Sequence, residues 1–164
     1  MTEFRPMRRN RQQLSREECE LILGHCTSGV LALAGDGGYP YAVPLSYVYV
    51  DGAIIFHSAV EGHKVDAIKR DSRCSFCVIE QDEIKPTELT TYFRSVIAFG
   101  HISILENTDE KVQALRLLGR RFSPNDEPRL QHEIDKSLDH VLLLRFDIEH
   151  MSGKEAIELV KSRH

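Results

Sequence analysis

The stretch SGVLALAGDGGYPYAVPLSYVYVDGAIIFHSA, residues Ser28 to Ala59, decides the fold. Short runs of Val, Ile, Leu, Tyr and Phe are interrupted at GDGG, residues 35–38, and at Asp51–Gly52. Both breaks supply the positive-φ positions that hairpin turns need. The pattern predicts three antiparallel strands near 29–34, 40–50 and 53–58. Turns this short exclude parallel βαβ units, whose crossovers take about a dozen residues or more. Pro44 has no N–H to give to a ladder and so marks an edge or a bulge.

Elsewhere the chain alternates strand-like and helix-like segments. Residues 15–26 read as a helix, with Ser15 and Glu18 forming an S-x-x-E capping box and Leu21, Ile22 and Cys26 making an apolar stripe. A short helix is expected over 62–71 with Val65 and Ile68 inward, then a strand over 73–81 and a longer one over 92–106, bent at Gly100. Helices over 108–122 and about 127–138 precede a last strand near 140–153 and a short polar tail from Lys154. The expected class is mainly β: one domain over 1–164, six antiparallel strands in a barrel with peripheral helices, where closure would remove exposed strand edges.

Composition narrows the function classes. Hydrophobic content of 41% and charged content of 28% fit a soluble globular domain, and a net charge of −4 argues against a general nucleic-acid binder. The basic segment RPMRRNRQQ (Arg5–Gln13) reads as a solvated arm or as an arm contacting an anionic partner. No run of apolar residues is long enough for a membrane helix, and no export signal stands at the start. With four cysteines expected as reduced thiols, a cytoplasmic protein without a membrane partner is the expectation.

FHSAVEGHK, residues 56–64, concentrates the chemistry. His57 and His63 with Cys74 and Cys77 contain the elements of a zinc site, but cysteines three apart on a strand point to opposite faces, so no metal is expected. No G-x-S-x-G elbow, Walker loop or G-x-G-x-x-G fingerprint is present. Gly62 followed by a helix start at His63 offers free N–H groups and the positive end of a helix dipole, which suits an anion. Ser58 adds a hydroxyl and Lys64 a full charge, with His63 and Arg70 as further candidates. An ordinary helix start with a solvated lysine is the competing reading.

The segment from Tyr39 to Glu83, together with TTYFRSVIAFGHI (Thr90–Ile102) and SGKE (Ser152–Glu155), resembles the flavin-binding split-barrel family related to pyridoxamine 5′-phosphate oxidase. Within it, the branch of 5-nitroimidazole resistance (Nim) proteins is the most similar. The resemblance runs from about Met7 to Lys154. It implies a six-stranded antiparallel split barrel that forms a homodimer with FMN in two clefts between subunits.

By the same resemblance, Pro44, Leu45 and Ser46 lie along the isoalloxazine edge, and His57, Ser58 and Ala59 follow the ribityl chain. Gly62, His63 and Lys64 hold the phosphate, and Tyr92, Arg94, Ser95 and Val96 reach the flavin from the partner or complete its pocket. Lys154 stands near the cleft. His57 is implied as the catalytic residue beside the flavin, or as a ligand of cofactor oxygens only. The implied activity is an FMN-dependent oxidoreductase reducing a nitroaromatic or another small electron acceptor, with NAD(P)H as a possible donor. The pyridoxal-phosphate-binding segment of the oxidases proper is not evident after SGKEAIELVKSRH, so vitamin B6 oxidation is not expected. A non-enzymatic flavin- or haem-binding store or sensor is the alternative, since some split barrels bind haem.

Overall fold

A computed structural model describes residues 3–163. The strands are β1 (Gln13–Leu14), β2 (Ser28–Ala34), β3 (Pro40–Ser46), β4 (Val48–Val50), β5 (Ala53–Ser58), β6 (Arg73–Lys85), β7 (Thr90–Ile104) and β8 (Leu142–Glu155). The helices are α1 (Arg16–His25), α2 (His63–Arg70), α3 (Thr108–Phe122), α4 (Glu127–Ser137) and α5 (Ile157–Ser162). All pairings are antiparallel, in the order β3-β2-β6-β7-β8-β5-β4, with β1 added on β8.

Eight strands appear where six are expected because the segment 40–50 divides at Tyr47 and β1 adds two residues. The path is also open rather than closed by hydrogen bonds. β3 pairs with β2 and β4 pairs with β5, and only the chain through Tyr47 joins the two ends. Pro44 sits on the edge strand β3, opposite Val30. Its missing N–H therefore breaks no central ladder.

Tyr47 is fully buried. Its hydroxyl donates to the Leu23 carbonyl near the end of α1 at 2.6 Å, its N–H donates to the Thr27 carbonyl at 3.1 Å, and its ring meets Phe76 edge-on at 5.0 Å. The capping box of α1 forms as the sequence predicts: Glu18 N–H donates to Ser15 Oγ, and Ser15 N–H donates to Glu18 Oε2. Apolar alternation along β5 feeds two cores. Ile54 and Phe56 enter the main core with Leu31, Phe76 and Phe146, while Ile55 packs with Ala114, Leu118 and Leu143 beneath α3.

The predicted bend at Gly100 coincides with a bulge, where the β7–β8 register shifts between Phe99 and Gly100. A Cβ at Gly100 would collide with the Asp147 carbonyl oxygen. The ends of the chain are more ordered than the sequence suggests. Gln12 is buried and donates to the Glu155 carbonyl at 2.9 Å, Phe4 stacks on His150 at 4.7 Å, and Lys154 belongs to β8 with α5 following.

Gly100→Ala is expected to lower unfolding free energy by about 1–3 kcal/mol, as overpacking against backbone does; a urea titration measures it. Tyr47→Phe keeps the ring but strips the Leu23 carbonyl of its donor, with a loss of about 1 kcal/mol expected in the same assay.

Candidate functional site

The segment after β5 builds a helix start with free donors from ordinary parts. Gly62 precedes α2 at φ 136°, a conformation other residues rarely adopt, and no side chain caps the helix. The first intrahelical bond runs from Asp66 N–H to the Gly62 carbonyl at 3.1 Å. The N–H groups ahead of Asp66 therefore have no intrahelical acceptor. Lys64 is half-buried, and burial lowers the pKa of its ammonium group. Among the described residues Lys64 makes no ion pair.

His63 and Arg70 are drawn aside by Asp36 in the β2–β3 turn. Arg70 donates to Asp36 Oδ1 at 2.8 Å and to the Ala34 carbonyl at 3.2 Å, and this guanidinium holds the Asp36 carboxyl below its ordinary pKa. His63 Nε2 lies 3.8 Å from Asp36 Oδ2, and its ring stacks on Tyr41 at 3.9 Å. Lys64 is thus the cation left without a carboxylate at the helix start. Ser58 is buried, and its hydroxyl donates to the Ala59 carbonyl at 3.0 Å.

Pro44, Leu45 and Ser46 lie across the split from β5. The β4–β5 ladder pairs Val48 with Ile55, and its continuation would set Ser46 opposite His57. Instead β3 leaves β5 at Tyr47 and pairs with β2, which opens a gap flanked by these two segments. His57 and Ser58, being consecutive on a strand, face opposite ways. Ser58 is buried, whereas His57 lines a cavity of about 480 Å³ with Leu115, Leu118, Phe122 and Leu130 of the two helices above it. The expectation that both side chains follow one stretch of ligand is therefore not met within this chain.

Tyr92, Arg94, Ser95 and Val96 stand elsewhere. Ser58 pairs with Leu142 at the start of β8, while Ser95 pairs with Lys154 and Arg94 with Glu155 at its end. At the strand rise this is roughly 40 Å of extended chain, so one chain does not gather both groups. The Val96 side chain is fully buried in the main core. Tyr92 lies under the Lys85 ammonium at 5.0 Å, and the Lys154 ammonium lies over the Phe93 ring at 5.6 Å.

Arg94 enters a charge cluster that no spacing pattern announces. It donates to Glu155 Oε2 from Nε at 3.2 Å and Nη2 at 3.1 Å, and its Nη1 lies 3.6 Å from Glu80 Oε1. Glu155 is 1% exposed and also pairs with Arg163, just past the last helix, which reaches Glu18 at 2.7 Å. Burial explains the cysteines equally well. Cys74 is pushed up to about 12 and Cys19 to about 11, both chiefly by desolvation. Cys74 is buried in the core and Cys77 is half-exposed, as opposite faces of a strand require.

With this geometry in view, a family model described as pyridoxamine 5′-phosphate oxidase matches residues 15–155. The chain belongs to the pyridoxamine 5′-phosphate oxidase family. The fold recurs in a crystal structure of a candidate 5-nitroimidazole antibiotic resistance protein from Bacteroides thetaiotaomicron, at TM-score 0.74 and 19% identity over 87% of this chain and 86% of that one. An FAD-binding protein from Mesorhizobium loti matches at TM-score 0.61 and 27% identity over 88% and 96%. An FAD- and haem-binding protein from Mycobacterium smegmatis matches at TM-score 0.75 and 23% identity over 93% and 80%. No curated protein matches the sequence significantly. The mainly β split-barrel architecture is thus that of the family.

Removing the buried Glu155 carboxylate takes both hydrogen bonds from the largely buried Arg94 guanidinium and leaves it only the 3.6 Å contact with Glu80. Glu155→Ala is expected to cost about 3 kcal/mol or more, visible as a large drop in thermal midpoint.

Proposed function

We propose that this chain is a flavin-dependent oxidoreductase that holds FMN by its phosphate at the start of α2. The observation that carries this reading is Lys64, a half-buried cation without an ion pair among the described residues, next to the unbonded N–H groups of a helix first turn. A phosphate fits this donor set: it takes the Lys64 charge, the N–H groups after Gly62 and, after a rotation of its hydroxyl, Ser58. Family membership and flavin-binding proteins of the same fold support the choice of a flavin over other phosphate esters.

When bound, the flavin supplies hydride or electron transfer, which no side chain of the chain provides. The residues bind and orient. Lys64 and the α2 turn fix the phosphate, and the gap between β3 and β5 admits the ring beside Pro44, Leu45 and Ser46. Tyr92, Arg94, Ser95 and Lys154, at the far end of β8 from Lys64, contribute to the same site only from a second subunit. The Arg94 guanidinium is held by Glu155, and a flavin there would meet it in that engaged state.

A homodimer is part of this proposal. Val30, Cys77 and Ile97 are cross-strand neighbours on the outer face of β2, β6 and β7, and Val30 and Ile97 are both about two-fifths exposed. Ile79, Ile84 and Leu89 on the β6–β7 hairpin extend this uncovered apolar surface. Such a surface suits a second copy. A small acceptor taken up in the cavity beneath α3 and α4 would meet His57, and a nitroaromatic is the acceptor class that the Nim-type neighbour suggests.

Purified protein is expected to carry a yellow chromophore or to acquire one with FMN; a colourless protein with no FMN-dependent thermal shift would sink the reading. Lys64→Ala should weaken FMN binding by about tenfold or more, as loss of a charge-assisted bond does. Because burial lowers the Lys64 pKa, its charge is lost at a lower pH than for an ordinary lysine. FMN affinity in wild type should therefore fall on the alkaline side before that point, and the fall should vanish in Lys64→Ala.

A further inference from the structure

Helix α4 divides its side chains among three lines of residues four apart, each line sharing one face of the helix. Glu127, Gln131 and Asp135 form the line that meets α3. Arg120 Nε donates to Glu127 Oε1 at 2.8 Å, Arg116 Nη2 donates to Gln131 Oε1, and Gln131 Nε2 donates on to Asp135 Oδ1 at 2.9 Å. Leu130 and Ile134 are buried. Gly119 lets the two helices close up, since a Cβ there would collide with the Leu130 side chain. Arg129, Glu133 and Ser137 form the third line, and all three border the cavity of about 480 Å³ that holds His57.

This third line is not used by the fold. Arg129 and Glu133 make no ion pair among the described residues. Asp126, the acid nearest to Arg129 in sequence, accepts from the Arg129 backbone N–H at 3.1 Å rather than from its guanidinium. Arg129 and Glu133 are exposed, at the rim of the cavity, whereas Leu118 and Leu130 are buried at its base. Phe122 adds a ring that is about half exposed, and Leu115 and Val141 complete an apolar wall. An apolar pocket with a few polar groups is the usual form of a small-molecule site. Of the polar groups here, Arg129 and His57 can donate, and Glu133 is the one that carries negative charge. The planar guanidinium fork matches a carboxylate in shape as well as in charge.

We propose that this cavity takes an aromatic monoanion, an aryl carboxylate in class, and that Arg129 selects it. The ring lies on Leu118, Phe122 and Leu130, and the carboxylate pairs with Arg129 at the rim. Glu133, one turn further along α4, disfavours a ligand with a second acidic group. The inference rests on the flavin reading only in making this ligand the electron acceptor. Its binding uses neither Lys64 nor the gap between β3 and β5.

Isothermal titration of the full chain, with and without FMN, tests the proposal with para-nitrobenzoate, its neutral isostere para-nitrobenzamide and the cation para-nitrobenzamidine. Wild type should bind the benzoate about fivefold more tightly than the benzamide, the value of a well-placed ion pair at a solvent-facing rim, and the amidine most weakly. Arg129→Gln should erase the preference for the benzoate while leaving the benzamide affinity unchanged. Glu133→Gln should tighten the benzoate. Both positions are exposed, so both variants should keep the wild-type thermal midpoint. Absence of benzoate binding to wild type, or an unaltered preference in Arg129→Gln, overturns the proposal. Failure to bind FMN with benzoate binding intact sinks the flavin reading alone.

Discussion

Tyr47 is the point on which the sheet turns. It is the single residue between β3 and β4, and therefore between the two ends of the strand path. Its hydroxyl is held by the Leu23 carbonyl, its N–H by Thr27 and its ring by Phe76. These three contacts tie α1, the entry to β2 and the core face of β6 to one residue. Were β3 to continue along β5, the sheet would lack its split, and the gap between Ser46 and His57 would be filled by a ladder. A buried phenol with its hydroxyl satisfied rigidifies such a junction, because the alternative leaves a polar group without a partner in the core.

The split has chemical consequences at both margins. On one side β3 carries Pro44 at an edge, where its missing N–H breaks no central ladder. On the other, β5 runs out at Ser58 and the chain turns through Gly62 into α2. Asp36 engages Arg70 and His63, so that at the start of α2 the Lys64 charge is left without a carboxylate. At the far end of β8 charge is handled differently. Glu155, itself almost fully buried, is held between Arg94 and the more exposed Arg163, and Glu80 is turned into the margin of this cluster by a bulge.

Much of this was legible beforehand. The Ser15–Glu18 capping box, the hairpin glycines, the edge role of Pro44 and the bend at Gly100 all follow from local rules of backbone geometry. The helix start after Gly62 and the lysine beside it were readable for the same reason. What escaped was long-range. Gln12 and Glu155 are far apart in sequence yet share a buried hydrogen bond, and polarity alone marks both as surface residues. The segment 40–50 read as one strand because nothing local distinguishes Tyr47 from Tyr41 or Tyr49. Only the burial of its ring and the capture of its hydroxyl separate them.

The sequence by itself determined the antiparallel β class, the positions of α1 to α4, and the FHSAVEGHK segment as the place to look for an anion. Periodicity, turn chemistry and capping act over a few residues, and those are the distances a sequence displays. The tertiary structure decided that His57 lines a cavity under α3 and α4, that Arg70 serves Asp36, and that Arg94 stands at the opposite end of β8 from Ser58. Each depends on strand register and on which charges meet across the fold, and no local spacing encodes either.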